Sequence, residues 1–226
     1  MCGRYALYGP ISRLSERFSA SIDEMPADFG PRYNAAPMQM LPVVRQRPGG
    51  ERVAHLLRWG LLPGWAKDPG IATRLINARA ATLAEKPAFR AAYRARRCIV
   101  PASGFFEWQK QGSVKQPFNF RLKSGEYFAF AGLYTTYTHP TTGDEVKCYT
   151  IITTQPNDLL SSVHNRMPVI LRREDEAAWL NPDTVEIEEL TQFLKPYPAD
   201  KMEGYMVDKR IGNPANDDPR LLTPTA

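Results

Sequence analysis

Apolar residues recur along this chain in two rhythms, which together predict a strand-rich protein with short helices set between the strands. Near the start, Ile11, Leu14 and Phe18 fall at helical spacing and predict a short helix over 11–18. Residues 20–31 follow neither rhythm and are expected to be loop, and 32–37 to be a polar turn ending at Pro37. An apolar run at 40–44 predicts a strand, Pro48-Gly49-Gly50 a turn, and 53–59 a strand that returns antiparallel. Gly60, Pro63 and Gly64 then break regular structure and hold two tryptophans in a loop. Trp59, beside a strand, is expected in the core. Trp65 is open between a core plug and a platform on which a base stacks.

Further on, 86–97 predicts a helix with Pro87 in its first turn and Arg90, Arg94 and Arg97 along one face. That face is either a phosphate-facing stripe or, by default, a solvated one. Residues 98–101 predict a buried strand. Gly104-Phe105-Phe106-Glu107-Trp108 follows, a carboxylate among aromatic residues, either exposed at a strand end or held in a pocket with a raised pKa. Strands are expected at 118–122, 127–137 and 146–154, with turns at 123–125 and 139–144. A short helix over 157–163 leads to His164-Asn165-Arg166-Met167-Pro168 and another apolar strand. Residues 174–180 and 186–194 are expected to be acidic surface helices, and the Pro/Asn/Asp-rich tail, 212–226, to loop over the surface. With no repeat, no linker and no βα alternation, the expected class is α+β. One domain, 1–226, is expected, with a mostly antiparallel or mixed β core and peripheral helices.

Composition narrows this picture. The chain has 226 residues, 43% hydrophobic and 23% charged, enough for a substantial core. No apolar run approaches a membrane span, and the N-terminus lacks the apolar centre of a signal peptide. A cytoplasmic protein is therefore expected, nucleoid-associated if the cell is bacterial. Three cysteines without CxxC spacing suggest neither a disulfide framework nor a zinc site, and Cys98 and Cys148 sit in apolar runs as small core residues. The net charge of +5 conceals an asymmetry. Residues 1–124 carry 20 Lys and Arg against 8 Asp and Glu, whereas 125–226 carry 9 against 16. The basic half is mostly arginine, whose planar fork suits phosphate, and it suggests a polyanionic partner.

The chemistry gathers at few positions. With three histidines, no HExxH, no phosphate loop and no GxGxxG, neither a metal nor a cofactor is expected. Met1 precedes a small side chain, so its removal is expected and leaves Cys2 first, with an α-amine beside its thiol. Such a 1,2-aminothiol condenses with an aldehyde to a Schiff base and then closes a thiazolidine. The amine titrates near ~8 and the thiol near ~8.5, so both keep some nucleophilic fraction at neutral pH. Asn34, Glu107 and His164 also stand beside turns or strand ends, with arginines nearby in sequence.

Six stretches carry a resemblance: Met1-Cys2-Gly3-Arg4, Arg32 to Pro37, Trp59-Gly60 through Pro63 and Trp65, Asn77-Ala78-Arg79, Gly104 to Trp108, and His164 to Pro168. In this order and at similar spacing they resemble the SOS response-associated peptidase (SRAP) family, whose bacterial and human members capture abasic sites in DNA. The resemblance runs from residue 2 to about 171 and leaves 172–226 as peripheral helices and tail. It departs at Asn165, where members often have Asp, and at Gln109, where they often have Lys. The resemblance implies a barrel-like β core of the SRAP type and a monomer acting on single-stranded DNA that contains abasic sites. It further implies that Cys2 captures the C1′ aldehyde, Asn34 holds Cys2 and the sugar, Glu107 shuttles protons, and His164 serves as general acid and base. Arg4, Asn77, Arg79 and Arg166 are expected to hold phosphates, and Pro37 and Trp65 to pack on flanking bases. Two other readings stay open, a thiol (auto)peptidase and a non-covalent single-strand binding module. Strand cleavage by β-elimination, a lyase outcome, is open beside shielding.

Overall fold

Alternating apolar and polar positions put the longest elements of this chain into strands, and the strands sort into two sheets that share a main core. The computed structural model describes residues 2–225, apart from the side chain of Gln111. The strands are β1 (Tyr5–Leu7), β2 (Ala20–Ser21), β3 (Arg32–Ala35), β4 (Met40–Gln46), β5 (Arg52–Trp59), β6 (Asn77–Arg79) and β7 (Arg97–Ala102). They continue with β8 (Gly104–Gln111), β9 (Val114–Leu122), β10 (Phe128–Thr138), β11 (Glu145–Thr154), β12 (Met167–Pro168), β13 (Ile170–Leu171) and β14 (Met202–Met206). Short helices lie between them: α1 (Ile11–Phe18), α2 (Arg90–Ala95), α3 (Asp158–Ser161), α4 (Glu176–Leu180) and α5 (Ile187–Thr191). The class is α+β.

Five strands close on themselves. Antiparallel pairs link β5 to β4, β4 to β7, β7 to β10 and β10 to β11. β11 then returns to β5 in parallel, through Cys148↔Arg58 and Tyr149↔Trp59. Closure removes the open edges that a sheet of this length would expose. At the parallel seam the buried rings of Trp59 and Tyr149 stack at 6.3 Å. Truncating Trp59 there would cost about 3–5 kcal/mol. Gly60 follows with φ +131°, and a Cβ on it would stand 2.8 Å from the Ala72 carbonyl oxygen, so only glycine lets the chain leave the barrel here.

The second sheet runs β14-β9-β8-β1-β3. Its residues alternate between two cores. Tyr5, Phe105 and Phe120 enter the main core, while Ala6 and Phe106 face a smaller one closed by Val207, Ile211 and Leu221 from the C-terminal segment. β1 lies between β8 and β3, so Cys2, three residues ahead of it, is delivered to one end of this sheet.

Several expectations need correcting. Residues 32–35 are a strand, not a turn, because they pair with β1 through Tyr5↔Ala35 and Leu7↔Arg32. The helix expected over 86–97 is only α2, so Pro87 lies outside it and Arg97 begins β7. Arg97 is buried and donates to the carbonyls of Tyr93, Arg94, Trp179 and Asn181. It thereby satisfies the loose ends of α2 and α4 and leaves the face it was expected to share with exposed Arg90 and Arg94. α4 lies at the surface through exposed Ala177 and Ala178 but buries its other face. Trp179 enters the core, and buried Glu176 accepts both terminal nitrogens of Arg17, at 3.0 and 2.6 Å. β14 was not foreseen, and the tail buries Ile211 and Leu221 instead of only crossing the surface.

Candidate functional site

Cys2 is fully buried ahead of β1, and its thiol lies well above the usual cysteine range, first through burial and then through the negative charge of Glu107. Glu107 comes from β8, the strand paired with β1. Phe105 and Phe106 precede it, buried on opposite faces of the strand, and the carboxyl is 2% exposed. Burial pushes its pKa up from 4.5 to about 7, against the pull of Arg166.

His164 reaches the same place from the far side of the barrel. Asn157 caps α3 by accepting from the Leu160 N–H at 3.1 Å, and one turn later the His164 N–H bonds back to the Leu160 carbonyl. Gln109 of β8 donates to the Ser162 carbonyl at 3.0 Å and so ties this loop to the strand that carries Glu107. The His164 Nδ1 accepts from the Arg166 backbone N–H at 3.1 Å. Nδ1 also lies 3.2 Å from the Arg166 carbonyl, to which its protonated form donates, and the nitrogen that faces Glu107 is Nε2. That nitrogen stands 3.9 Å from Oε2 of Glu107, too long for a hydrogen bond but open to a small shift. Burial lowers the His164 pKa, and the Arg166 charge adds to the effect. The two groups are thus driven past each other. Near pH 7 a carboxyl about half protonated and a neutral imidazole face one cavity, a pairing that can both give and take a proton.

That cavity, of about 470 Å³, is lined by Glu107, Trp108, Lys110, Lys115, His164 and Gly212. Arg4 reaches its edge, donating to the Gly3 carbonyl at 2.9 Å and to the Gly212 carbonyl at 3.5 Å. A neighbouring cavity of about 340 Å³ has Arg79 and Arg166 in its wall, with Thr153 and Thr154. β11 brings the arginines together, since Thr153 pairs with Arg79 and Thr154 with Met167. Burial lowers the Arg166 pKa and the charge of Arg79 adds to this, the mark of two cations sharing one place. Asn77, at the start of β6, donates to the Ile76 carbonyl and keeps a buried Oδ1 without a partner.

Other expected site residues stand apart. Asn34 is buried, but its Nδ2 faces the carbonyls of Ile211, Asn213 and Asn216 at 3.2, 3.0 and 2.9 Å, and its amide protons are committed to the C-terminal segment. Asp217 Oδ1 accepts from the backbone N–H of Tyr33 and of Asn34, at 2.5 and 2.9 Å. Trp65 is 58% exposed and is no core plug. It rims a separate groove of about 600 Å³ with Lys67, Ile71 and Arg74. Pro37 is half-buried beyond β3. His55 is held between Glu24 and Arg45, at 2.6 and 2.8 Å, and takes no part in the cavity. Sequence reasoning missed Lys110, Lys115 and Gly212. The lysines stand opposite one another across the β8–β9 hairpin, and two like charges so placed are a signal in themselves.

Fold and site define a class: β-barrel proteins of the α+β type that keep a cysteine, a proton-holding carboxyl and an imidazole behind a basic rim. Within that class, this chain belongs to the SOS response associated peptidase (SRAP) family, whose family model matches residues 1–214. It is 42% identical over 223 residues to the abasic site processing protein YoqW of Bacillus subtilis (strain 168), covering 98% of this chain and 99% of that one. It is 30% identical over 272 residues to the abasic site processing protein HMCES of Rattus norvegicus, covering 99% and 76%. A crystal structure of a protein from Bacteroides thetaiotaomicron superposes with a TM-score of 0.90 at 29% identity, covering all of both chains. Among the described residues no helix is long and apolar enough to cross a membrane.

Proposed function

We propose that this chain processes abasic sites in DNA by capturing the opened sugar covalently on Cys2, in single strands. The observation that carries the reading is that buried Cys2 lies within electrostatic reach of Glu107, and that Glu107 and His164, 3.9 Å apart, line one cavity beside it. Met1, whose removal the chemistry needs, lies outside the described residues. Once it is gone, the α-amine attacks the C1′ aldehyde and a Schiff base forms with loss of water. The thiol sulfur then adds to C1′, its proton passes to the nitrogen, and the thiazolidine closes. Glu107 gives and takes the protons of imine formation. His164 moves the proton at O4′ as the sugar opens, and at nitrogen when the adduct reverses. Arg4, Asn77, Arg79 and Arg166 hold phosphates, Pro37 and Trp65 pack on flanking bases, and Asn34 contributes only through Oδ1, its protons being committed. Single strands are favoured because splaying the site then needs no unpairing.

Cleavage by β-elimination starts from the same Schiff base, whose electron demand acidifies the C2′ proton. Ring closure consumes the imine and with it that route, so shielding and cleavage are competing fates of one intermediate. A thiol peptidase requires a thiolate beside an imidazolium. Burial and the charge of Glu107 push the Cys2 thiol the opposite way, which weighs against that reading. The relatives' names, abasic site processing proteins, agree with the proposal. A denaturing gel after incubation with abasic single-stranded DNA tests it. The chain should give a heat-stable shifted band and Cys2→Ala none, with DNA affinity nearly intact. A heat-stable adduct on Cys2→Ala would refute capture by thiazolidine.

A further inference from the structure

The β8–β9 hairpin carries a feature that the capture chemistry leaves unused. Its register sets Lys110 directly opposite Lys115, with Trp108 opposite Pro117 two positions before. Residues directly opposite in an antiparallel pair have Cβ atoms about 4.5–5.5 Å apart, and like charges so placed repel. Both lysines are exposed, and both line the cavity that contains Glu107 and His164. Gly212 is on the same wall, with the Arg4 guanidinium on its carbonyl. Among the described residues of that lining Glu107 is the one carboxyl, and it is buried, so the exposed charges at the mouth are cationic. The main-chain zigzag puts Lys110 and Lys115 on the Phe106 face of the hairpin, turned away from the barrel and toward solvent.

We propose that Lys110 and Lys115 form a phosphate clamp at the mouth of the capture pocket, holding a phosphodiester of the strand beside the captured sugar. The proposal rests on the reading of this chain as a single-stranded DNA binder. It extends that reading to the far end of the hairpin, beyond the Gly104 to Trp108 stretch and apart from the expected arginines. An anion between the lysines cancels their repulsion, so the hairpin closes on the strand as the strand binds. The clamp supplies affinity and register, and the proton transfers stay with Glu107 and His164.

The test uses the full chain and a fluorescent single-stranded oligonucleotide with a tetrahydrofuran abasic analogue, which binds without reacting. Anisotropy gives the affinity between roughly 50 and 200 mM salt. Removing the one clamped phosphate in the Lys110→Ala/Lys115→Ala double variant should make the log–log salt slope shallower by roughly 0.7. Crosslinking at limiting abasic DNA should fall in step with the lost affinity. Lys115→Glu separates binding from folding. It places an opposite charge across from Lys110, so the melting temperature should hold or rise while DNA affinity falls further than with Lys115→Ala. A double variant with the wild-type slope would overturn the clamp and leave the capture reading standing. A wild-type chain with no salt-dependent binding would overturn both.

Discussion

Replacing Glu107 by Gln should stabilise the protein at alkaline pH while it cripples the chemistry. The carboxyl is 2% exposed, and burial raises its pKa from 4.5 to about 7. Between those values the folded protein holds a proton that the unfolded chain has released, so stability falls as pH rises through the window. Integrating the linkage for one group with these two pKa values gives a penalty of about 1 kcal/mol at pH 5 and about 3 kcal/mol at pH 8. Glutamine keeps the shape of the acid and has nothing to ionise. The stability of Glu107→Gln relative to wild type should therefore improve by about 2 kcal/mol between pH 5 and pH 8. Urea unfolding of both proteins at the two pH values measures this. With a slope of about 3 kcal/mol/M the midpoints should separate by most of 1 M between the two conditions. Crosslinking by the same variant should slow while DNA binding persists. An offset between the two proteins that is equal at pH 5 and pH 8 would show that Glu107 keeps an ordinary pKa in the fold. The proposed proton shuttle would then lose its basis.

Further outcomes follow from the basic rim and the imidazole. Wild-type binding to single strands should show a salt slope of roughly −2 to −3, from three or four phosphate contacts, and Arg79→Ala should flatten it by somewhat under one unit. A flat response in the wild type would make the arginines a solvated surface. His164→Ala should both form and release the adduct more slowly, read by transfer of preformed adduct to excess fresh abasic DNA. Equal release rates in variant and wild type would remove His164 from the reversal step.

Elements built from local contacts were legible in the sequence, and those closed from afar were not. α1 forms over the residues its apolar spacing predicts, and β4 and β5 pair across the turn at 48–50 because hairpins carry their own signals. Arg32-Tyr33-Asn34-Ala35 looks like a turn because its polar side chains have no local reason to be in a strand. That reason is supplied by β1 and by carbonyls about 180 residues further along. β14 was hidden for the same cause, since Met202–Met206 becomes a strand only against β9. Glu107 could be narrowed to an exposed end or a pocket, and burial decides for the pocket. Arg97 defeated periodicity altogether, because four backbone carbonyls, two of them more than 80 residues away, outweigh the helical face it was expected to share.

The tie between the C-terminal segment and β3 also has a consequence in time. Arg4 meets Gly212 across 208 residues, and Asn34 meets Asn216 across 182. Contacts of such high order form late in folding, and on a ribosome they wait for the segment to be made. At about 5–20 residues per second, roughly 10–40 s separate the emergence of Cys2 from that of Asp217. On the proposed chemistry, the chain's most reactive end is therefore its oldest part and the last to be enclosed. Until Asp217 closes on β3, the nucleophile exists without the pocket that gives it a preference for DNA.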